Sequence, residues 1–479
     1  MISGGGLKVP QGIADRISTF GDDIAALASR HQELEQLVGI ASEKAGRFEI
    51  LQGYLGVAVV AFVITLLTTP LARHMAITLG IIDHPSSRKV HRIPIAYLGG
   101  VAVFLGIMGG ILYSYLAVPI EGLITWHKPT QWLSPDTETP QLVRPSIVLG
   151  LTVIMIVGLI DDVVGIMPRV KLGGQLFAAA ALAYDDIGVK VAQGILSPTI
   201  GELVGNRNLS WMFEIPGLGM PIELDLMYWT GTAVIAIFVL GGCNASNLVD
   251  GLDGLLTGVT AIAAMGLLFI CLSLAMVDDG PRDAQRIILC LALVGACLGF
   301  LPHNFNPASI FLGDCGSLLL GFCTIVIILM LGDTSTDAGR TYLVIAGLII
   351  YGIPIIDTVL AIVRRKLANK KMSEPDSDHL HHMLKRALGV KGAVLTLYGI
   401  GVGFALLGVA LSLGRARVVY ALALVFASYI GVYAIKIARR RHLEEQALAR
   451  TARLAPASEG GQAGAKGPAS AGAPASTNP

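Results

Sequence analysis

The sequence predicts an all-α polytopic membrane protein with about eleven transmembrane helices, its N-terminus outside and its C-terminus in the cytoplasm. Three observations predict this fold class. Of the 479 residues, 53% are hydrophobic and only 14% are charged, whereas a soluble domain carries roughly 25% charged residues. Long apolar segments recur along the chain, and the lysines and arginines between them gather on one predicted side.

The apolar segments divide the chain into three regions. Residues 1–50 are polar, with apolar side chains at close to helical spacing, which predicts an amphipathic or coiled N-terminal helix. Residues 51–440 form the transmembrane bundle, and residues 441–479 form a cytoplasmic tail whose Ala, Gly, Pro and Ser content predicts disorder. Asp185 and Asp186 interrupt the fourth apolar segment. The predicted segments are 53–72, 97–118, 146–160, 174–192, 228–243, 255–277, 287–301, 317–331, 341–363, 393–413 and 418–435.

The basic residues of the short loops set the predicted orientation. Lysines and arginines in such loops tend to stay in the cytoplasm. The loops after the first, third and ninth segments and the start of the tail hold most of these residues, including the run at 364–371. The loops after odd-numbered segments are therefore predicted to be cytoplasmic. The net charge is only +1 and no basic patch stands out, so we expect no nucleic-acid partner.

Four polar clusters fall on the predicted cytoplasmic side, at the ends of the third, fifth and seventh segments and in the loop after the ninth. If the segment count were wrong by one between two clusters, those clusters would lie on opposite faces. Their coincidence on one face predicts a shared site at the membrane surface. The candidate residues of the clusters and of one adjoining loop are Asp161, Asp162, Lys171, Asn244, Asn247, Asp250, Asp253, Asn304, Phe311, Asp314, His379, His381 and His382.

The candidate residues include five aspartates, and their chemistry indicates phosphoryl transfer. Ionisable groups near lipid are unfavourable and usually face a polar cavity. Clustered carboxylates repel one another unless a hard divalent cation neutralises them, and Mg²⁺ suits this role because it binds carboxylates together with substrate phosphates. Magnesium with a diphosphate implies phosphoryl transfer, in which the metal neutralises developing charge. Lys171 and the three histidines are suited to the remaining phosphate charge.

Each cluster alone also has a purely structural interpretation. Asp161 and Asp162 suit a solvated helix end, the polar residues at 244–253 a simple turn, and Asp314 a helix cap. Three histidines within four residues suit a surface loop or an adventitious metal site. The six cysteines are expected to be small buried apolar residues rather than a metal or redox site, because none forms a CxxC pair. Together on one face, the clusters favour a functional site.

In order and spacing, these motifs resemble the polyprenyl-phosphate N-acetylhexosamine-1-phosphate transferase family. The family implies a bundle of about ten or eleven transmembrane helices with a cytoplasmic groove. It also implies Mg²⁺, with Mn²⁺ as a substitute, a UDP-N-acetylhexosamine donor and a polyprenyl phosphate acceptor in the inner (plasma) membrane. A homodimer is an assembly that the sequence permits. The resemblance rests on the residues at 88–94, 99–100, 158–162, 169–172, 247–255 and 311–317.

By motif match, the resemblance implies a role for each candidate residue. Asp314 resembles the metal ligand, and Asn247 resembles a second one. Asp161 and Asp162 resemble the pair that handles the lipid phosphate, and Lys171 resembles the lysine that faces the phosphates.

The other candidates resemble substrate contacts. Asp250 resembles the aspartate beside the diphosphate, and Asp253 and Asn304 resemble contacts to the nucleoside. Phe311 is expected to stack on uracil, and Asn244 is assigned to substrate binding as well.

The histidine pattern predicts the donor. His379-Leu380-His381-His382 resembles the His-x-His-His pattern of the transferases that attach N-acetylglucosamine-1-phosphate to undecaprenyl-type phosphate and initiate O-antigen, teichoic acid and related glycans. The translocase of peptidoglycan synthesis, which uses a UDP-MurNAc-pentapeptide, carries three consecutive histidines and is the first alternative. An ion-coupled transporter and an aromatic prenyltransferase are the others, but a transporter would place its carboxylates near the bilayer midplane.

Overall fold

The computed structural model describes most of the predicted bundle: residues 47–83, 94–117, 120, 143–206, 209–214, 221–276, 281–333, 341–367 and 379–414, with scattered positions between 421 and 436. The described residues up to Ser428 belong to one compact unit, and Tyr429 begins a second. The predicted N-terminal helix lies outside the described residues except for its last positions. The predicted disordered tail and most of the motif at 88–94 also lie outside them.

The described chain is helical apart from its connections and two small sheets. A π-helical turn, Ser197–Gly201, and a single turn, Glu202–Val204, follow α5. The other elements in chain order are α1 (Arg47–Leu79), β1 (Ile82–Asp83), β2 (Ile95–Ala96), α2 (Gly99–Ala117), α3 (Pro145–Val164), α4 (Pro168–Tyr184), α5 (Val189–Leu196), β3 (Ser210–Glu214), β4 (Pro221–Asp225), α6 (Leu226–Val249), α7 (Leu255–Ala275), α8 (Pro281–Asn304), α9 (Gly313–Gly332), α10 (Thr341–Ile350), α11 (Gly352–Leu367) and α12 (Leu380–Leu413).

Within the described residues, eight helices are long and apolar enough to cross a membrane: α1, α2, α3, α6, α7, α8, α9 and α12. Helices α10 and α11 together would make a ninth span, but they are bent by 77° at the break between them. At that break, the hydroxyl of Tyr351 donates to the carbonyl oxygen of Gly242 (2.9 Å) on α6. The predicted count of about eleven is therefore not reached by the described residues, and the segment at 418–435 is described only in short pieces.

The fourth predicted segment is wrong in its outer half. Helix α4 ends at Tyr184, and the turn that follows has left-handed backbone at Asp186 (φ 56°) and Gly188 (φ 89°). A left-handed residue ends a helix, and aspartate and glycine tolerate that conformation better than most residues. The chain then resumes as the short helix α5. Segment 174–192 is thus parts of two helices of 17 and 8 residues, neither of which is among the eight candidate spans of the described residues.

Two antiparallel hairpins depart from the all-α prediction. Strand β1 pairs with β2, and β3 pairs with β4. The first hairpin lies next to the start of α9: Ala96 bridges Ile310, and the N–H of Gly99 donates to the carbonyl oxygen of Phe311 (3.0 Å). The irregular chain before α2 is thereby held against the irregular chain before α9, which brings two sequence motifs together.

Helix α9 is the central helix of the bundle. Every residue in it is buried except Asp314 in its first turn. A helix that is apolar on all sides belongs in the core of a bundle, and α9 packs against α3, α6 and α2. All six cysteines of the chain are free and buried, as predicted. The single partly exposed residue of α9 therefore marks where this core helix meets the site.

The far end of α9 is closed by a buried arginine. Arg286 on α8 donates from Nε to the carbonyl oxygen of Met330 (2.9 Å) and also contacts the carbonyl oxygen of Asp333. Its Nη1 donates to Asp283 Oδ1 (2.9 Å), and both side chains are essentially inaccessible to solvent. A cation at a helix C-terminus satisfies carbonyl groups that lack helical partners and favours the helix dipole.

Candidate active site

The site begins where α3 ends and α9 starts. The backbone N–H groups of Asp314 and Cys315 donate to the two oxygens of Asp162, at 2.7 and 2.9 Å. Gly313, with φ of 74°, allows this approach, since a methyl group there would lie only 2.5 Å from Asp162 Oδ2. A carboxylate at a helix N-terminus accepts otherwise unpaired N–H groups and is stabilised by the helix dipole. Asp162 therefore positions Asp314.

Asp314 is the centre of a chain of polar contacts between four helices. Lys171 on α4 forms an ion pair with Asp161 (3.1 Å between Nζ and Oδ2) and another with Asp314 Oδ2. Asn247 on α6 donates from Nδ2 to Asp314 Oδ1 (2.7 Å) and to Ser317 Oγ (2.9 Å). The structure thus brings four of the predicted residues into direct contact.

These residues fit a hard divalent cation. The ammonium group of Lys171 contacts both Asp161 and Asp314, so a positive charge between these two carboxylates is already favourable in the fold. Carboxylate and amide oxygens are the ligands that Mg²⁺ takes in proteins. The donor set around Asp314 therefore matches the chemistry of the predicted metal.

The electrostatics of the loop after α6 also favour a bound cation. Desolvation raises the pKa of Asp250 to about 8, and the carboxylates of Asp314, Asp162 and Asp253 add to that rise. Burial also raises the pKa of Tyr97, again with acidic neighbours that include Asp162, Asp250 and Asp314. A pocket in which several acids raise one another's pKa values favours a cation.

Tyr97 is a candidate that the sequence did not single out. It lies between β2 and α2, and its ring meets that of Phe311 edge to face, with centroids 5.9 Å apart. The available signal was its place two residues before Gly99 and Gly100, which belong to a motif. Phe311 remains partly exposed, as a ring that stacks on a base must be.

Asp253 is held by the chain before α9. Its Oδ2 accepts from Asn306 Nδ2 (2.8 Å) and from the N–H of Ala308 (3.1 Å). The side chain therefore ties the loop after α6 to the loop after α8.

Asn304 is buried and has protein partners at both ends of its amide. Its oxygen accepts from the N–H of Gly254 (3.2 Å) and from Thr257 Oγ1 (3.0 Å), and its nitrogen donates to the carbonyl oxygen of Ile310 (3.1 Å). The structure gives Asn304 a scaffolding role, and its predicted contact with the nucleoside stays a prediction.

Asn244 lies one turn before Asn247 on α6 and contacts a different helix. It donates to Gln175 Oε1 (2.8 Å) on α4 and to the carbonyl oxygen of Leu240 (2.8 Å). One amide hydrogen joins α6 to α4, and the other is used within α6 itself. The predicted role of Asn244 in substrate binding is therefore not supported by its contacts, and it stays a prediction.

The histidine motif, defined here as His379, His381 and His382, begins a helix instead of lying in a loop. His379 is the residue before α12, and the other two lie in its first turn. The rings of His381 and His382 are 4.3 Å apart between centroids. A methyl group on Gly251 would lie 2.4 Å from His381 Nε2, so the motif abuts the loop that carries Asp250 and Asp253.

Comparison with known proteins places the chain in a family. The family model described as glycosyl transferase family 4 matches residues 145–332. Over 360 residues the chain is 32% identical to a Bacillus subtilis protein named probable undecaprenyl-phosphate N-acetylglucosaminyl 1-phosphate transferase, and the alignment covers 74% of this chain and 84% of that relative. The chain belongs to glycosyl transferase family 4.

Two further relatives of this family 4 chain differ in their named substrates. A decaprenyl-phosphate N-acetylglucosaminephosphotransferase of Mycolicibacterium smegmatis is 31% identical over 439 residues, which is 86% of this chain and 96% of the relative. A phospho-N-acetylmuramoyl-pentapeptide-transferase of Anoxybacillus flavithermus is 30% identical over 292 residues, which is 58% of this chain and 78% of the relative.

As a family 4 member, the chain is a multi-pass membrane enzyme that transfers an N-acetylhexosamine-1-phosphate from a UDP-sugar to a polyprenyl phosphate. The transporter and prenyltransferase alternatives are therefore wrong. The family match at 145–332 includes the aspartates of the site and ends before the histidine motif.

Proposed function

We propose that this family 4 enzyme transfers N-acetylglucosamine-1-phosphate from UDP-N-acetylglucosamine to undecaprenyl-type phosphate at the cytoplasmic face of the inner membrane. The reaction releases UMP and starts a lipid-linked cell-envelope glycan. The observation that carries the proposal is the run of contacts from Asp161 through Lys171 to Asp314 and Asn247, which joins the ends of four helices. Two relatives named for N-acetylglucosamine phosphate transfer support the choice of sugar.

In the proposed reaction, an oxygen of the polyprenyl phosphate attacks the phosphorus that carries the sugar. A P–O bond forms to that oxygen while the P–O bond to UMP breaks, and UMP leaves with the bonding electrons. We favour direct attack, because a phosphate oxygen is already anionic and needs no covalent intermediate on a carboxylate. Asp161 is the carboxylate proposed to orient the acceptor phosphate. Backbone N–H groups occupy both oxygens of Asp162, whereas Asp161 gives one oxygen to the backbone N–H of Ile166 and the other to the side chain of Lys171, a cation that suits a phosphate as well.

Asp314 and Asn247, with Asp161 beside them, are the residues that would hold Mg²⁺, or Mn²⁺ in its place. When bound, the ion supplies positive charge that neutralises the diphosphate as charge develops. Lys171 contributes a second positive charge from the protein itself. The placement of Asp250 beside the diphosphate and of uracil on Phe311 completes the proposed donor site.

The second candidate donor is a UDP-MurNAc-pentapeptide. The similarity to the pentapeptide-transferase of Anoxybacillus flavithermus supports this candidate. That alignment covers a smaller share of the chain, 58%, than the 86% of the Mycolicibacterium smegmatis relative. Leu380 also interrupts the run of three histidines that is typical of the pentapeptide enzymes. Homodimerisation and the cytoplasmic placement of the site stay predictions of the sequence.

We expect purified protein to release UMP from UDP-N-acetylglucosamine only when polyprenyl phosphate is present. Radiolabelled UDP-N-acetylglucosamine, UDP-N-acetylgalactosamine and UDP-MurNAc-pentapeptide are compared with and without the lipid phosphate. Preference for the pentapeptide donor would overturn the assignment of the sugar. Release that does not depend on the lipid phosphate would contradict the proposed transfer itself.

Alanine variants of the histidine motif test the donor site. We expect at least one of His379→Ala, His381→Ala and His382→Ala to lower kcat/KM for the UDP-sugar by about 10²-fold, or about 2.7 kcal/mol. The reason is that imidazoles beside the loop of Asp250 and Asp253 can donate hydrogen bonds to a diphosphate. The KM for the lipid phosphate should change less.

The matched control is His74→Ala, because His74 is an exposed histidine of α1 outside the proposed site. It should keep the kinetics of the wild type. If all three variants of the histidine motif also keep those kinetics, the motif has no part in donor binding or turnover.

A further inference from the structure

A buried carboxylate that no motif contains lies directly behind the histidine motif. Asp357 on α11 is only 1% exposed. Its Oδ1 accepts from the backbone N–H of Leu380 (2.8 Å), and its Oδ2 lies 3.0 Å from His379 Nδ1. The bend between α10 and α11 directs α11 toward the start of α12. A buried carboxylate is costly without partners, and within the described part of the chain Asp357 finds its hydrogen-bond partners at residues 379 and 380.

The same carboxylate faces the second histidine. His381 is 2% exposed, and its Nδ1 lies 3.5 Å from Asp357 Oδ2. Among the described residues, that nitrogen has no hydrogen-bond partner. The opposite ring nitrogen, Nε2, points at Gly251 between the two aspartates of the loop after α6. Asp357 and the loop that carries Asp250 and Asp253 are therefore on opposite sides of the imidazole ring of His381.

A carboxylate that accepts a hydrogen bond from one nitrogen of an imidazole determines whether the other nitrogen is a donor or an acceptor. Asp357 Oδ2 accepts a hydrogen bond from the Nδ1–H of His379, which fixes the tautomer and the orientation of that ring. In metal sites, removal of such a carboxylate partner typically lowers activity by about 10- to 100-fold, although it touches no substrate. The geometry around Asp357 has the same form.

We propose that Asp357 is a positioning residue: it orients His379 and His381 so that the histidine motif meets the sugar-diphosphate donor in a fixed geometry. The proposal rests on the proposed function, because the motif would act on the UDP-sugar bound at the loop after α6, which carries Asp250 and Asp253. Asp357 itself touches neither substrate. Its effect should therefore appear in the use of the donor and not in the use of the lipid phosphate.

The same three side chains could instead bind a metal. The ligand atoms of Asp357, His379 and His381 all lie within 4.8 Å of one another. The contacts favour hydrogen bonding, since Oδ1 of Asp357 already accepts from a backbone N–H and Oδ2 lies at hydrogen-bond distance from an imidazole. Metal analysis of the purified enzyme decides this point: a stoichiometric transition metal that Asp357→Asn removes would overturn the positioning role.

The test is Asp357→Asn, which keeps the acceptor for Leu380 but presents an amide N–H₂ to His379. We expect kcat/KM for UDP-N-acetylglucosamine to fall about 10- to 100-fold, with the KM for the lipid phosphate unchanged. The matched control is Asp225→Asn at the start of α6. Its Oδ1 accepts from the N–H of Tyr228 (2.9 Å), and asparagine caps a helix equally well. This control should behave as the wild type.

A triple variant separates positioning from general destabilisation. Asp357 is proposed to act through both His379 and His381, so adding Asp357→Asn to the double variant His379→Ala/His381→Ala should cause no further loss. Should the asparagine variant fail to fold, Asp357→Glu carries the test. It keeps the charge but displaces it by one methylene, and a displaced partner should reduce donor use about 10-fold.

Besides a bound transition metal, three kinetic outcomes would overturn the inference. They are wild-type donor kinetics in a folded Asp357 variant, an equal loss for donor and lipid, and a further loss when Asp357→Asn is added to the histidine double variant. If the wild type itself does not transfer sugar phosphate from UDP-N-acetylglucosamine, the proposed function has failed instead, and the two failures are distinguishable.

Discussion

Asp314→Asn is expected to lower kcat by at least about 10³-fold while the protein stays folded in detergent. Asp314 is the partly exposed residue at the start of the buried core helix α9, and it contacts both Lys171 and Asn247. Asparagine has nearly the same shape, so the backbone contacts with Asp162 should persist. What is lost is the negative charge that would hold Mg²⁺ beside the diphosphate. UMP release and the melting temperature are measured together.

The matched control is Asp186→Asn. Asp186 is exposed and has left-handed backbone, a conformation that asparagine tolerates. It should keep the activity of the wild type. Full activity of Asp314→Asn would contradict the assignment of the metal, and so would an undiminished wild-type rate in EDTA.

Arg286→Met is expected to lower the free energy of unfolding by about 3–5 kcal/mol. The variant leaves the carboxylate of Asp283 buried without its arginine, and it removes a donor from the carbonyl oxygens at the end of α9. Because α9 is the central helix, the loss should spread through the bundle. The effect is measured by thermal unfolding in detergent, with the fraction of protein that stays monodisperse as the readout.

The double variant Asp283→Asn with Arg286→Met is the control for charge. Replacing both members of a buried ion pair is usually far less destabilising than removing one. The double variant should therefore melt closer to the wild type than Arg286→Met does. A single variant that melts as the wild type would show that this buried pair contributes little.

The sequence predicted the eight spans that the structure describes because their apolar runs are uninterrupted. Four of those runs were short, and the structure extends them into α3, α6, α8 and α9. It failed at 174–192, where two aspartates and a glycine end one helix and the apolar composition continues into the next. It also missed the 77° bend at Tyr351, since a polar contact with α6 stabilises that break. Such a contact joins residues that are far apart in sequence.

Within the site, residue type was predictable but side-chain direction was not. Asn244 and Asn247 belong to one motif, yet the first contacts Gln175 and the second contacts Asp314. Three residues apart, they point about 60° away from each other around the helix, which is enough for the first to meet α4 and the second to meet α9. Motif membership alone could not separate them. Asp357 was overlooked although it is a lone carboxylate in an apolar segment, a pattern that usually indicates function.

Helix α12 is broken at Gly389, and this break bears on how deep the histidine motif lies in the membrane. Its 34 residues would extend about 51 Å as one straight helix, well beyond the roughly 30 Å of hydrocarbon in a bilayer. Gly389, with φ of 73° and ψ of 177°, divides the helix, and the longer part after it is sufficient to cross. The first part is left for the headgroup layer, where Lys385 and Arg386 can bind lipid phosphates. The lipid headgroups would then hold the motif outside the hydrocarbon, at a depth that a water-soluble donor can reach.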